Sequence, residues 1–161
     1  MIKQVIVVRT RYPDGKGGTF GLRTGKIAAQ VAHASLKVFL DRKLQRLGGR
    51  NPSDYMELAD GRPEFPEDTQ ELLMIPLPAV MAEWVNGSFA KIVLGVETEA
   101  DLLQVYEAAK AAGLPTALIT DLGHTEFHGV PTNTTVAVGP AKPEDIDLIT
   151  GPNGLVRCRL L

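Results

Sequence analysis

The stretch Lys91-Ile92-Val93-Leu94-Gly95-Val96-Glu97-Thr98-Glu99-Ala100-Asp101-Leu102-Leu103 joins two element signatures end to end. Lys91 to Val96 is a short apolar run without proline, the pattern of a strand. Thr98, with Asp101 completing an S/T-x-x-D/E signature, caps a helix whose buried stripe is Leu102, Leu103, Tyr106 and Ala109. Gly113 ends it. A strand that runs directly into a capped helix is the repeating unit of an α/β sheet protein.

The same alternation continues on both sides. Downstream, Pro115 to Thr120 and Thr134 to Val138 read as strands separated by the polar loop Asp121 to Asn133, and Pro143 opens a short helix through Ile149. Upstream, Ala79 to Val85 is a short helix carrying Trp84, stopped by Asn86-Gly87. Arg50 to Leu77 is rich in proline and acidic residues and reads as an insertion or lid with at most short helices. Thr24 to Leu47 is a helix with Ile27, Val31, Ala34 and Val38 on one face, ended by Gly48-Gly49. Ile2 to Arg9, continuous and β-branched, is a strand buried on both faces. Residues 10–25, with Gly15, Gly17, Gly18, Gly21 and Gly25, read as a mobile loop. The expected fold is a single three-layer α/β/α domain over residues 1–161, with a mixed, mostly parallel four-stranded sheet flanked by helices. A Gly-rich loop at 10–25 and a Pro/acidic insertion at about 50–77 interrupt it.

With 161 residues, 44% of them hydrophobic, the chain can bury a core without staples. One cysteine, Cys158, excludes an intrachain disulfide, and Val5 to Val8 is far too short an apolar run to cross a bilayer. The expectation is a cytoplasmic protein with no membrane partner. The net charge of −2 hides an asymmetry: residues 1–50 hold 11 basic and 2 acidic residues, and the remainder holds 6 basic and 17 acidic. A basic half offers a surface to a polyanion such as RNA, unless folding brings the two halves together and cancels the field.

Motifs exclude several chemistries. Gly21 and Gly25 bracket only three residues and Ile27 follows Lys26, so there is no Walker loop; Phe20 stands where the third glycine of a dinucleotide fingerprint belongs. Asp121, His124, Glu126 and His128 lie just past a strand end, but no helical H-x3-H or H-E-x-x-H frame supports a metal, and no G-x-S-x-G elbow is present. Neither a metal nor a cofactor is expected. Lys26 is more informative. It sits in a first helical turn, where the dipole disfavours a cation unless an anion meets it, and Gln30 and His33 follow on the same face. A solvated polar stripe with one snorkelling lysine is the alternative.

Gly25-Lys26-Ile27-Ala28-Ala29-Gln30-Val31-Ala32-His33-Ala34, Lys91 to Leu94 and Ala112-Gly113-Leu114-Pro115-Thr116 together resemble the peptidyl-tRNA hydrolase type 2 family. Asp121-Leu122-Gly123-His124-Thr125 resembles its D-x-G-x-T loop, Thr134 to Pro140 its T-x-x-x-x-G-P strand, and Ile146 to Gly151 its closing helix. The resemblance implies a metal-free enzyme that cleaves the ester joining a peptide to the 3′ end of tRNA. It implies Lys26, Gln30, Asp121, Thr125 and Thr134 as catalytic residues, with His33 in support, and a homodimer as the assembly. Arg9, Arg23 and Lys37 join His33 as expected tRNA contacts, within a wider basic set that includes Arg11, Lys16, Arg42, Lys43 and Arg46. The long stretch before Lys26, the block 50–77, Leu122 and Glu126-Phe127-His128 depart from the family's pattern. A catalytically weak RNA- or protein-binding module on the same fold is the competing expectation.

Overall fold

The computed structural model describes residues 1–42 and 75–161. The expected helix end at Leu47, its Gly48-Gly49 stop, Lys43 and Arg46, and all of the 50–77 insertion before residue 75 lie outside the described residues. The elements are β1 (Lys3–Arg9), β2 (Tyr12–Pro13), β3 (Thr19–Phe20), α1 (Thr24–Leu40), α2 (Ala79–Asn86), β4 (Ala90–Val96), α3 (Glu99–Ala111), β5 (Thr116–Asp121), β6 (Thr132–Ala141), α4 (Pro143–Thr150) and β7 (Arg159–Leu160).

The α/β/α layering is as expected, and the sheet differs in two respects. It has five strands in the order β5-β6-β1-β4-β7 rather than four, because the tail strand β7 pairs with β4 through Leu94–Leu160 and Gly95–Arg159. Only β1 and β4 pair in parallel; β1–β6, β5–β6 and β4–β7 are antiparallel. The alternation of strand and helix does make β1, β4 and β5 run the same way, but β6 returns from β5 and inserts between β5 and β1, so β5 never touches a parallel neighbour.

β1 lies inside the sheet, and all seven of its residues are buried. The period-2 alternation of a strand sends neighbouring side chains to opposite faces. Val5 and Val7 pack with Leu102, Val105 and Ile146 of α3 and α4, whereas Ile6 packs with Ala34, Val38 and Met81 of α1 and α2. The Thr98 cap forms as the spacing predicts, its hydroxyl accepting from the Asp101 N–H at 3.0 Å. In α3, Val105 is fully buried, while Leu103 and Tyr106 are only partly so.

Residues 10–25 are built differently from the expected loop. Tyr12 and Pro13 pair with Phe20 and Thr19 to form a small hairpin. Asp14 Oδ1 accepts from the Lys16 and Gly18 N–H groups, both at 2.8 Å, and Gly15 and Gly17 supply the positive φ of the turn. Tyr12, 1% exposed, anchors the hairpin against Leu22 and Phe127. The glycines thus serve a turn rather than a phosphate cradle.

Candidate active site

The carboxyl end of β5 and the first two turns of α1 face each other across one edge of the domain. Lys26 Nζ donates to Asp121 Oδ2 at 2.5 Å and to Thr125 Oγ1 at 3.3 Å. Gln30 Nε2 donates to the same Asp121 oxygen at 2.8 Å, and the Gly123 N–H donates to Asp121 Oδ1 at 2.9 Å. Behind Gln30, the Thr134 hydroxyl donates to Gln30 Oε1 at 2.6 Å. All five residues that the resemblance implies as catalytic therefore form one connected chain, Thr134–Gln30–Asp121–Lys26–Thr125.

Burial divides the chain into an inner and an outer part. Thr134 and Gln30 are buried, at 0% and 2% exposure, so the solvated-stripe alternative fails at Gln30. The Lys26 and Asp121 side chains keep 19% and 11% of their surface. Burial alone would push the Asp121 carboxyl up, but the Lys26 ammonium, the Gly123 N–H and the Gln30 amide outweigh it and hold the pKa below the ordinary 3.8. Asp121 is therefore an ionised carboxylate of low basicity. Among the described residues donor capacity remains at the outer end: an ammonium has three N–H groups, of which Asp121 and Thr125 take two, and the Thr125 hydroxyl accepts from Lys26 and donates to no described residue.

The other expected contacts are scattered. His33 is exposed on α1, and Lys37, also on α1, is paired with Asp41 at 2.7 Å. Arg23, whose side chain is 81% exposed, pairs with Glu126 at 3.0 Å beside the first turn of α1. Arg9 is buried: its guanidinium binds Glu99 at 3.1 Å and the Arg11 carbonyl, and lies over the Tyr12 ring, so it holds the hairpin to the sheet rather than facing solvent. Folding does pair the two halves of the chain, through Lys3–Asp147, Arg9–Glu99, Arg23–Glu126 and Lys26–Asp121. Among the described residues no three His, Cys, Asp or Glu side chains converge as metal ligands. Cys158 is half-buried in the α3–α4 core, and burial pushes its thiol up to about 11.

A set of cations escaped the sequence reading. Arg157 and Arg159 join Arg11 around a cavity of about 600 Å³ at the carboxyl ends of β1 and β4. The available signal was the pair Arg157-x-Arg159 in a tail without acidic residues after Asp147, hidden by the acidic total of that half. Arg11 and Arg157 form no ion pair among the described residues.

The fold is an α/β sandwich whose edge strand β5 ends in an ionised carboxylate set beside an ammonium and a hydroxyl, groups with the chemistry to bind and polarise a polar ligand. The family model Peptidyl-tRNA hydrolase PTH2 matches residues 2–155. A peptidyl-tRNA hydrolase of Methanopyrus kandleri is 35% identical over 157 residues, covering 98% of this chain and all of its own length. Those of Methanocaldococcus jannaschii and Halobacterium salinarum are 31% and 34% identical, each covering 93% of this chain and 96% of its own. The chain belongs to the peptidyl-tRNA hydrolase PTH2 family. No described helix is long and apolar enough to cross a membrane.

Proposed function

We propose that this chain hydrolyses the ester between peptide and tRNA in peptidyl-tRNA, with the Lys26–Asp121 pair and its unspent donors as the catalytic centre. The observation that carries the reading is this pair at the sheet edge, with the two donors of Lys26 and Thr125 beside an ionised carboxylate. Water is the nucleophile. Asp121 Oδ2 is taken by Lys26 and Gln30, so Oδ1, with one lone pair on the Gly123 N–H, is the oxygen that orients the water and takes up its proton as attack proceeds. The negative charge that develops on the carbonyl oxygen is met by the third Lys26 N–H and the Thr125 hydroxyl. Gln30 and Thr134 are positioning residues, since neither presents surface to a substrate.

Arg11, Arg23, His33, Lys37 and Arg157 present exposed or partly exposed cationic or imidazole groups, and they supply the phosphate contacts along the acceptor arm. A cytoplasmic location fits a substrate made by ribosomes. A homodimer would cover the exposed apolar side chains Leu36, Val85 and Phe89 around α1 and α2.

The test is single-turnover deacylation of an N-acetylaminoacyl-tRNA with parallel filter binding. Asp121→Asn should lower turnover by about two orders of magnitude and leave binding intact, and Lys26→Ala should weaken both. Near-normal cleavage by Asp121→Asn would remove that residue from the mechanism. Binding without cleavage by the wild type would favour the binding-module reading.

A further inference from the structure

We propose that the cavity between the β2–β3 hairpin and the loop 122–131 holds the nucleobase of the nucleotide that carries the ester. The proposal rests on the hydrolase reading of the neighbouring cluster. The cavity has a volume of about 410 Å³, and three aromatic rings line it. Tyr12 stands 5.7 Å from Phe20 and 4.9 Å from Phe127, centroid to centroid, so the rings brace one another. Tyr12 and Phe127 are buried, whereas Phe20 is half-buried and keeps surface open to an occupant. Concave, largely apolar walls with a few fixed polar groups are the usual make-up of a small-ligand site, and aromatic walls suit a base by stacking.

The polar groups decide which part of the substrate fits. Asp14, Glu99 and Glu126 place three carboxylates around the cavity, the His128 imidazole and the Arg9 guanidinium also line it, and Arg9 and Arg23 are already engaged by Glu99 and Glu126. Among the described residues such a rim offers a phosphate no unpaired ammonium or guanidinium, while its carboxylate oxygens accept hydrogen bonds from an exocyclic amine. Glu126 uses Oε1 for Arg23 and makes no hydrogen bond through Oε2 among the described residues. Of the phosphate, ribose and base of a terminal nucleotide, the base is the part this rim would receive.

Position points the same way. Thr125 meets Lys26 on the cluster side, while Glu126 and Phe127, the next two residues, line the cavity. α-Carbons two residues apart lie within about 7.6 Å, so one ribose can place its ester on one side of this segment and its base on the other. A peptide side chain is the rival occupant. Peptides vary, however, whereas every tRNA ends in adenosine, and fixed carboxylate acceptors suit a constant amine.

The experiment compares N-acetylalanyl-tRNAs ending in adenosine, in purine riboside, which lacks the amine, and in an abasic ribose. With the wild type, KM should rise about tenfold or more for the abasic end and less for purine riboside, with kcat nearly constant. Phe20→Ala should raise KM for the adenosine end and collapse the adenosine-to-abasic ratio. Phe20→Leu, which keeps apolar bulk without a π face, should do the same in part, with thermal melting to confirm that it folds. Equal KM values for all three ends, or an undiminished ratio in folded Phe20→Leu, would overturn the pocket alone. A Phe20→Leu effect that follows the acyl residue instead of the base would assign the cavity to the peptide. Failure of the wild type to cleave any of the three would overturn the hydrolase reading, and the pocket with it.

Discussion

Thr134→Val separates a positioning role in the cluster from a packing role, because the substitution keeps shape and removes one hydroxyl. Gln30 Oε1 carries no hydrogen, so the 2.6 Å contact requires Thr134 to donate, and that donation fixes which end of the amide faces Asp121. Without it, a buried acceptor is left unpaired at a residue only 2% exposed. That costs about 1–3 kcal/mol of stability, which at about 2–4 °C per kcal/mol in a chain of this size is a readable fall in melting temperature. The amide is then no longer held with Nε2 toward Asp121, and any rotation or displacement of Gln30 deprives the carboxylate of one donor. Since the Gln30 hydrogen bond helps to lower the Asp121 pKa, its loss moves that pKa upward and shifts the acid limb of kcat to higher pH. Displacement of the carboxylate should reduce kcat by about tenfold to a hundredfold, with KM little changed because Thr134 is fully buried. Thr134→Ser keeps the donor and should restore kcat and the acid limb. The measurements are thermal melting and a pH profile of single-turnover deacylation. A folded Thr134→Val protein with wild-type kcat and an unmoved acid limb would refute the reasoning.

Two further expectations concern pH and salt. Asp121 has a folded pKa below 3.8, so its stabilising interactions are present above 3.8 and are lost as pH falls through the lower folded value. Turnover of bound substrate should therefore stay level from about pH 7 down to about pH 5, and an acid limb near pH 6 would show that the carboxylate is not held ionised as described. Affinity for uncleaved tRNA should fall with salt, and Arg11→Ala or Arg157→Ala should each reduce the log–log slope by about 1. An unchanged slope in filter binding would remove that arginine from the phosphate contacts.

What the sequence could reveal depended on whether the deciding interaction was local. The Thr98–Asp101 cap and the β-branched run of β1 are short-range signals, and both elements formed where the spacing put them. Strand neighbours are a different matter, since a period-2 pattern fixes which face a residue takes and says nothing about which strand lies alongside. Hence β6, between β1 and β5, turned a sheet expected to be mostly parallel into one with a single parallel pair. The hairpin at Tyr12–Phe20 was hidden for a similar reason. Its turn glycines resemble those of any loop, and its anchor is Phe127, more than a hundred residues away. Charge counting misjudged Arg9 because a total cannot distinguish a cation facing solvent from one matched by Glu99 inside the fold. Lys26 shows how far local physics reaches. A cation in a first helical turn opposes the helix dipole and calls for an anion, and the chain itself supplies one in Asp121. Because that anion is built in, Lys26 is held against Asp121 and Thr125 by the fold itself, so the oxyanion role proposed for it would need no rearrangement of the lysine.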